Sequence, residues 1–537
     1  MPLPRSKPVK KVPPLQCGAE LFFGLTAPIG TDLDTVTNIL EEILKDFDYQ
    51  CSVIHLVELL HELPRWRNLP EIPLEKRYFS HMNAGDDFCK ILNRASALAA
   101  FGISNLQEER SGITGDASIP AYQRAYIFRS LKRPDEVTCL RSVYGRRFFQ
   151  IGAYSPREVR MNNLSRRIAS SHHSNRSERF RDCAEQLDQR DQEGHGIQFG
   201  QNVQNAFPLA DIFVDASNAM TLRLHLRRFV EMLFRSNLHT PTKDEYGMFH
   251  AHAASMRSSS TSRQVGAVIV DDEGEILASG VNEVPKAGGG QYWCHDEPNG
   301  RDFVRGYDTS KEMRRNTLAE LLEHLRKAQW LSREKQSKKT DVLVSEALKA
   351  KFLPSYGSHR QPLVEGTQLM DLIEFGRAEH AEMSAILGAA RRGIPIKGAT
   401  LFCTTFPCHD CARHIITSGI KKVVYIQPYP KSLALELHKD AIALDDPDNS
   451  SSKSAFVPFV GISPRRYQDL FLDSGEIWKN RRKSGTPKPH LCPDFEDKAT
   501  FYLTKEKERS LQLLHLLITN KLCPPVSSHR RARRNRR

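Results

Sequence analysis

The sequence predicts an α/β protein with at least two domains, because candidate strands and helices alternate along most of its 537 residues. A chain of this length exceeds one ordinary hydrophobic core. Apolar residues make up 39% and charged residues 26%, which is typical of a soluble globular protein. No apolar run approaches the ~18 residues that a membrane span requires, so we expect no membrane association.

The first domain is predicted over residues 20–237. Its first strand is ELFFGL (20–25), which is followed by a glycine-containing turn and an amphipathic helix at 34–47. Two further strands are predicted within YGRRFFQIGAYSP and PLADIFVDAS (208–217). Strands that alternate with helices in this way indicate a parallel sheet.

The first strand, turn and helix resemble a phosphate-binding loop, or P-loop. The Walker A pattern is degenerate, since Leu25 replaces its first glycine, with Gly24 one residue early, and Thr31 replaces its lysine. Asp32 stands where a magnesium-binding hydroxyl is expected. We predict nucleotide binding through Gly24, Gly30 and Thr31 without efficient phosphoryl transfer. An ordinary turn that binds no nucleotide is the alternative.

The second domain is predicted over residues 242–479. A helix in EYGMFHAHAASMRSSS precedes two strands, QVGAVIVDD and EILASGV, and a charged insertion is predicted at about 288–375. After the insertion, a helix from His380, the strand ATLFCTT, a helix from Cys408 and the strand KKVVYI follow. A last helix is predicted in SLALELHKDA (432–441).

The two ends of the chain are basic. A leader is predicted at 1–19, and an extension at 480–537 ends in RRARRNRR, which supplies six arginines to a net charge of +13. This tail is interpreted as a solvated segment, with a polyanion-binding arm or a nuclear signal as alternatives. The eleven cysteines and the absence of an export signal favour a reducing cytoplasm without structural disulfides.

Two short motifs carry the chemistry, HAE at 380–382 and PCHDC at 407–411. One imidazole and two thiolates, from His380, Cys408 and Cys411, suit Zn²⁺ and leave a fourth tetrahedral position for water. Glu382 is predicted to be the catalytic residue that moves protons. The pattern H-x-E with P-C-x-x-C is the signature of zinc deaminases, in which activated water replaces an amino group on a base.

The spacing of the residues within these motifs restricts where they can lie on helices if they are to bind one metal ion. Cys408 and Cys411 fall on one side of a helix, near its N-terminus, where thiolates are favoured. His380 and Glu382 approach one metal only if His380 lies at a helix entrance and Glu382 in its first turn. A structural zinc site would need a fourth Cys or His, and a redox C-x-x-C pair would need no HAE motif.

The second domain resembles deoxycytidylate (dCMP) deaminases in MRSSSTSRQVGAVIV, SGVNEVP, HAEMSAI and TTFPCHDCARHIITSGIKKVVY. The resemblance implies that Asn282 contacts the nucleoside and that Arg257 approaches the phosphate. Some relatives bind a second zinc. With Ser260 where those relatives have a cysteine, a second zinc at Cys294 and His295 is not expected.

The whole chain resembles bacterial anti-phage dCTP/dCMP deaminases. That resemblance implies a P-loop kinase-like parallel-sheet domain followed by a cytidine-deaminase-like α/β/α sandwich. It also implies conversion of dCTP to dUTP and of dCMP to dUMP, with activity held down by a regulatory RNA. We expect a homo-oligomer whose N-terminal domain senses a nucleotide or RNA.

Three alternatives remain at the level of the sequence. A nucleic-acid deaminase acting on cytosine or adenine would use the arginine tail and flip a base into the site, but no interleaved aromatic and basic residues flank the motifs. A housekeeping dCMP deaminase that supplies dUMP is the second. A sensor that only binds nucleotides or RNA is the third, and the intact motifs argue against it.

Overall fold

The computed structural model describes residues 19–192, 198–234, 239–352, 361–364, 367–429, 431–446, 452–472 and 499–522. The arginine-rich tail and nearly all of the basic leader lie outside these ranges. The chain divides into two compact units, each made of several segments. The first comprises Met1–Asp191, Val214–His239 and Leu472–Arg537, and the second comprises Gln192–Phe213 and Thr240–Phe471.

A parallel sheet forms the centre of the first unit. Its strands are β1 (Leu21–Thr26), β2 (Gln50–His55), β3 (Arg124–Arg129), β4 (Phe148–Tyr154) and β5 (Ile212–Asp215), of which the last two residues, Val214 and Asp215, belong to the first unit. They lie in the order β5-β4-β1-β3-β2, and β1 pairs in parallel with β3 and β4. All six residues of β1 are buried, as expected of a central strand covered on both faces. The strands expected at β1, β4 and β5 are confirmed, whereas β2 and β3 were not predicted.

Helices surround this sheet. The first two follow β1 and β2 in the chain, and α1 begins after Asp32, whose side chain accepts a hydrogen bond from the Thr35 N–H as an N-cap. The helices of the first unit are α1 (Leu33–Lys45), α2 (Leu74–Ile91), α3 (Ala97–Thr114), α4 (Pro134–Tyr144), α5 (Arg157–Ser171), α6 (Arg181–Gln192), α8 (Ala219–Leu233) and α18 (Ala499–Thr519).

The last helix, α18, packs against α3 and brings a buried ion network with it. The Arg110 guanidinium donates to Glu20 at 2.8 Å and to both carboxylate oxygens of Glu506 at 2.5 and 3.0 Å. The Tyr502 hydroxyl donates to the other Glu20 oxygen at 2.5 Å. The side chains of the three ionic residues are inaccessible to solvent. The described part of the C-terminal extension is therefore an integral part of the first unit.

A mixed six-stranded sheet forms the centre of the second unit, in the order β12-β13-β11-β10-β6-β7. Strand β6 is antiparallel to β7 and β10, while β10, β11, β13 and β12 pair in parallel. The strands of this unit are β6 (Gly266–Val270), β7 (Ile276–Val281), β8 (Lys351–Phe352), β9 (Gln361–Pro362), β10 (Thr400–Thr405), β11 (Lys422–Gln427), β12 (Ile442–Leu444), β13 (Ser454–Pro458) and β14 (Gly461–Ile462).

Helices cover both faces of this sheet. Alternate strand residues such as Ile269 and Leu401 pack against α14 and α15, whereas Phe402 faces Gly247 of α9. The helices of the second unit are α7 (Val203–Ala206), α9 (Lys243–Ser255), α10 (Asp302–Arg305), α11 (Thr309–Lys327), α12 (Arg333–Gln336), α13 (Thr340–Lys349), α14 (Ala381–Arg392), α15 (His409–Thr417), α16 (Ala434–Leu437) and α17 (Pro464–Phe471).

In its described residues, the segment between β7 and α14, where the insertion was predicted, holds four α-helices and the short hairpin β8–β9. The helix predicted at 432–441 is wrong for most of its length, since only the single turn α16 forms. The chain instead enters β12, which pairs with β13, so sheet pairing overrides local helix propensity. Within the described ranges, no helix is both long and apolar enough to cross a bilayer.

Close packing between α14 and β7 depends on a glycine. A Cβ atom on Gly280 would lie 2.1 Å from the Ala381 carbonyl oxygen and 2.3 Å from the Ala385 nitrogen. Both are backbone atoms of α14 and move only if the helix moves. Gly280 therefore fixes how closely the start of α14 approaches the sheet.

We expect Gly280→Ala to lower the free energy of unfolding of the second unit by at least ~1–3 kcal/mol, the usual cost of overpacking. The start of α14 should be displaced, and zinc content should fall with it. Thermal unfolding and metal analysis provide the readouts. Gly388→Ala is the matched control, because its Cβ would meet only the Ser279 carbonyl oxygen at 3.9 Å. Equal behaviour of the two variants would contradict this role of Gly280.

Candidate active site

The entrance of helix α14 presents the first of the candidate ligands. The helix begins at Ala381, and His380 is its N-cap residue with extended backbone angles (φ −70°, ψ 152°). Glu382 is the second residue of the helix and lies in its first turn. This is the arrangement that the spacing of HAE demanded, and the His380 and Glu382 side chains are close enough to interact electrostatically.

The two cysteines lie at the entrance of the next helix, α15. Cys408 is its N-cap, and its sulfur accepts a hydrogen bond from the Cys411 N–H at 3.4 Å. Pro407 ends the connection from β10, and its carbonyl oxygen accepts from the Ser432 hydroxyl at 2.8 Å. A free helix N-terminus stabilises negative charge, so this position favours a thiolate.

The three side chains meet at one point. His380 Nδ1 lies 3.3 Å from the Cys408 sulfur and 3.4 Å from the Cys411 sulfur. Tetrahedral zinc with ordinary Zn–N and Zn–S bonds would separate such atoms by about 3.6 Å. The donor set and its spacing therefore fit a zinc ion with one nitrogen and two sulfur ligands.

The pKa values of the three side chains are shifted by their mutual contacts. The hydrogen bond between Cys408 and Cys411 lowers the pKa of Cys408 to about 4, and the contact with His380 acts in the same direction. The hydrogen bond with Cys408 raises the pKa of His380 to about 9. The Cys411 pKa is raised by its hydrogen bond to Cys408 and by burial. A metal ion competes with these protons, because Cys and His coordinate in deprotonated form.

Glu382 is buried beside the cluster, with 4% of its surface exposed. Burial raises the pKa of its carboxyl group, the charge of His380 partly offsets this rise, and the charge of Cys408 adds to it. The carboxyl group is hydrogen-bonded with Cys403 on β10, a fully buried thiol. A carboxyl group with a raised pKa is suited to accept and return a proton near neutral pH. Sequence reasoning did not identify Cys403, whose contact with Glu382 depends on the pairing of α14 with the sheet.

Asn282 lies just after β7 and is buried, and its amide bonds to the loop that precedes β6. Its oxygen accepts from the Val265 N–H at 2.7 Å, and its NH₂ group donates to the Arg263 carbonyl oxygen at 2.7 Å. An amide has two acceptor and two donor positions, so one of each remains. The described contacts are those of a loop-stabilising residue, and nucleoside contact stays a prediction.

A neighbouring carboxylate that the sequence analysis missed organises the same loop. Glu283 is 2% exposed and accepts hydrogen bonds from the Ser259 N–H at 3.1 Å and the Ser259 hydroxyl at 2.6 Å. Its other oxygen accepts from the Val284 N–H at 2.8 Å. Ser258 donates to the Asn282 carbonyl oxygen at 2.8 Å. The loop 257–265 is therefore held in one conformation by the residues that end β7.

Arg257 lies at the start of this loop and contacts a glutamine and an aromatic residue. Its guanidinium donates to the Gln291 side-chain oxygen at 3.2 Å and stacks 3.8 Å from the centre of the Trp293 ring. Burial lowers its pKa. Phosphate contact by Arg257 stays a prediction. Cys294 and His295 form no three-ligand cluster within the described ranges. The Ser260 hydroxyl lies 3.2 Å from the Ser262 hydroxyl, and the Ser260 N–H donates to the Ser258 hydroxyl at 3.2 Å.

The residues predicted to bind nucleotide in the first unit are not all in a loop. Gly24 lies inside β1, opposite Phe128 and Gln150, and a Cβ there would meet Leu131 at 2.5 Å. Gly30 has φ +87°, which requires a glycine in the turn. Thr31 is buried, and its hydroxyl has no hydrogen-bond partner in the described structure.

An internal carboxylate occupies the turn where a phosphate would be expected. Asp191, at the end of α6, accepts from the Ile29 N–H at 2.8 Å and pairs with Lys132 at 2.8 Å. Lys132 also donates to the Ala27 carbonyl oxygen at 2.9 Å. Lys132, which is distant in sequence, therefore lies beside a turn whose own sequence contains no lysine. In the described structure, the carboxylate of Asp191 neutralises the positive charge of Lys132.

Comparison with known proteins concerns the second unit. Residues 241–427 match the family model described as "Cytidine and deoxycytidylate deaminase zinc-binding region". This range contains all three candidate ligands and Glu382. The region is therefore similar to zinc-binding deaminase domains, and zinc is its cofactor.

Individual relatives match over short stretches. Deoxycytidylate deaminase of Enterobacteria phage T4 is 57% identical over 53 residues, which is 10% of this chain and 28% of that protein. ComE operon protein 2 of Bacillus subtilis is 45% identical over 53 residues, again 10% and 28%. The chain thus spans about 28% of the length of these curated relatives. A crystal structure of dCMP deaminase from cyanophage S-TIM5 in apo form superposes with a TM-score of 0.20 and 18% identity, covering 41% of this chain and all of that one.

Proposed function

We propose that the chain is a zinc-dependent deaminase of free deoxycytidine nucleotides, converting dCMP to dUMP and dCTP to dUTP with release of ammonia. The observation that carries the proposal is the meeting of His380, Cys408 and Cys411 beside the buried Glu382. Three ligands leave one coordination position open, which is typical of catalytic rather than structural zinc.

The proposed roles divide between the ligands and the acid. His380 Nδ1 and the sulfurs of Cys408 and Cys411 would hold the zinc. When bound, zinc supplies Lewis acidity that makes water nucleophilic near neutral pH. The entrances of α14 and α15 hold the ligands on rigid elements, so the chain does not have to reorganise during the reaction.

Glu382 carries the protons of the reaction. Its carboxylate accepts a proton from the attacking water and delivers one to N3 of the cytosine ring as the new C4–O bond forms. It then takes the proton of the new C4 hydroxyl and passes it to the amino group, so that ammonia departs as the C4–N bond breaks and the C4 carbonyl forms. The balance is one water consumed and one ammonia released for each uracil base formed.

The choice of a free nucleotide rests on two arguments. The proteins similar to the second unit include deoxycytidylate deaminases of phages T2 and T4. A positive charge also lies close to the cluster, because Tyr429 interacts electrostatically with both Arg263 and Cys408. Lys431 interacts with Tyr429 as well but is paired with Asp371 at 2.7 Å, so Arg263 is the cation proposed for the phosphate of a nucleotide whose base lies at the zinc.

The proposal is tested by offering the purified chain dCMP, dCTP, CTP and a cytosine-containing single-stranded DNA in separate reactions. Released ammonia and uracil products are measured in each. We expect turnover of dCMP and dCTP and none of the oligonucleotide. Turnover of the oligonucleotide alone would overturn the proposal in favour of a nucleic-acid deaminase.

In the cell, such an enzyme acts as an anti-phage factor by draining the deoxycytidine nucleotide pool. The first unit, a P-loop kinase-like domain in this proposal, regulates it by sensing a nucleotide or RNA. A regulatory role for the first unit is favoured over phosphoryl transfer, because Lys132, the lysine beside the turn that contains Gly30, is already paired with Asp191. Infected cells that express the wild-type chain should lose dCTP and produce fewer phage than cells that express Glu382→Gln. Equal phage yields would favour a housekeeping role.

A further inference from the structure

A second cluster of metal-binding side chains lies in the first unit. His61 belongs to the short 3-10 turn Glu58–Glu62, Glu71 lies in the loop before α2, and His81 lies within α2. The Nε2 atoms of the two histidines are 3.0 Å apart. The Oε1 atom of Glu71 lies 3.4 Å from the first and 3.7 Å from the second.

The hydrogen bonds of the two rings fix where their protons are. Nδ1 of His61 lies 3.1 Å from the Arg67 carbonyl oxygen, and Nδ1 of His81 lies 2.8 Å from the Arg77 carbonyl oxygen. A carbonyl oxygen only accepts, so each Nδ1 carries a proton and donates it. The Ser80 hydroxyl, 3.3 Å from Nδ1 of His81, gives its own proton to the Arg77 carbonyl oxygen.

This assignment leaves both Nε2 atoms as acceptors. In neutral rings, two lone pairs then face each other at 3.0 Å, which is unfavourable unless a cation or an extra proton lies between them. Histidines that bind metals show the same arrangement, in which the nitrogen that does not coordinate donates to a carbonyl oxygen and orients the ring. The described contacts therefore resemble the outer contacts of a metal site.

The carboxylate is also oriented. Oε2 of Glu71 accepts from Arg77 Nε at 2.7 Å, which leaves Oε1 towards the imidazoles. Arg77 also pairs with Glu58 at 3.1 Å. Glu58 and Glu71 together carry two negative charges against the one positive charge of Arg77. These three groups therefore place a net negative charge next to the imidazole pair.

We propose that His61, Glu71 and His81 bind a divalent transition-metal ion of the zinc class, separate from the deaminase zinc. Two metal–nitrogen bonds of about 2.1 Å separate the nitrogens by about 3.0 Å at the right angle of octahedral coordination and by about 3.4 Å at the tetrahedral angle that zinc prefers. The imidazole nitrogens are 3.0 Å apart, so the spacing equals the first value and is within 0.4 Å of the second. His81 is buried, whereas the Glu71 side chain is 58% exposed, so the ion is reached from solvent. The ion fastens the loop before α2 to the helix, because its three ligands come from three successive segments.

The test counts metal in the full-length chain. The protein is stripped of metal with a chelator, reloaded with Zn²⁺ and dialysed, and its zinc content per chain is measured by inductively coupled plasma mass spectrometry. The wild-type chain should hold about two zinc ions, one for each three-ligand cluster. His61→Gln and His81→Gln should each hold about one. Two variants are used because His81 is buried and its replacement also affects packing, whereas His61 is partly exposed.

His172→Gln is the matched control. This histidine is in the same unit and pairs with Glu75 at 2.8 Å, but no second imidazole joins it among the described contacts. It should retain both ions. The proposal is overturned if His61→Gln, with the circular dichroism of the wild type, binds as much zinc as the wild type.

Cobalt provides an independent readout in a chain whose deaminase ligands are replaced. Cys408→Ser/Cys411→Ser should still bind Co²⁺, with ligand-field bands but without the intense charge-transfer absorption that thiolates produce. Adding His61→Gln should abolish those bands. A spectrum without ligand-field bands in the cysteine variant, together with a strongly deshielded proton shared by the two imidazoles, would show that a proton bridges them and would refute the metal site.

Discussion

Replacing Glu382 with glutamine is expected to lower kcat for dCMP by ~10²–10⁴ or more, the range usually contributed by a general acid–base group. Glutamine keeps the size of the side chain but cannot move a proton. Glu382 serves both the water and the leaving amine in the proposed reaction, so one substitution affects two proton transfers. Zinc content should stay at the wild-type level, because the three candidate ligands are His380, Cys408 and Cys411.

Steady-state kinetics and metal analysis of the same preparations check this expectation. Glu374→Gln is the matched control, since Glu374 is exposed on the segment that leads to His380. It should keep wild-type kcat and zinc. Retained activity in Glu382→Gln would remove this residue from the mechanism. Loss of zinc in that variant would mean that Glu382 acts by supporting the cluster.

The geometry of the zinc cluster was predictable because it depends on residue spacing at the start of a helix. A histidine and a glutamate two residues apart meet only at a helix entrance, and His380 is the N-cap of α14. Cys408 occupies the equivalent position of α15. The contact of Cys403 with Glu382 was not predictable, because it depends on which strand lies beneath α14.

The first unit shows where the strand pattern failed. Strand β1 is an uninterrupted apolar run and was predicted, since a central parallel strand is buried on both faces. Strand β2, QCSVIH, is at the end of the described strand order and alternates between buried and partly exposed positions. Strand β3, RAYIFR, is flanked by arginines. The apolar run of β3, AYIF, has only four residues and lies between the arginines, and β2 has no continuous apolar run longer than two residues.

Contacts between charged residues that are distant in sequence could not be predicted either. The turn after β1 lacks the Walker lysine, yet the structure places Lys132 beside it, 105 residues from Ala27 in the chain. Asp191 reaches the same turn from the end of α6. Periodicity and motif spacing report on neighbours along the chain, and these contacts exist only once the sheet has formed.

The second large effect concerns stability. Glu506→Ala is expected to lower the free energy of unfolding of the first unit by about 3–5 kcal/mol, the cost of removing one partner from a buried ion pair. Arg110 would keep Glu20 but lose two hydrogen bonds to Glu506, and its guanidinium is inaccessible to water. Because Glu506 lies on α18, the loss should also weaken the docking of this helix on α3. Denaturant unfolding, followed by circular dichroism, measures the change.

Glu508→Ala is the control for Glu506→Ala, because Glu508 is exposed on the same helix. A surface substitution of this kind usually changes stability by less than ~0.5 kcal/mol. An equally small effect of Glu506→Ala would mean that water or a rearranged Glu20 satisfies Arg110 once α18 loses its carboxylate. A large effect with unchanged zinc content would instead show that α18 stabilises the first unit independently of the deaminase cluster, which belongs to the second unit.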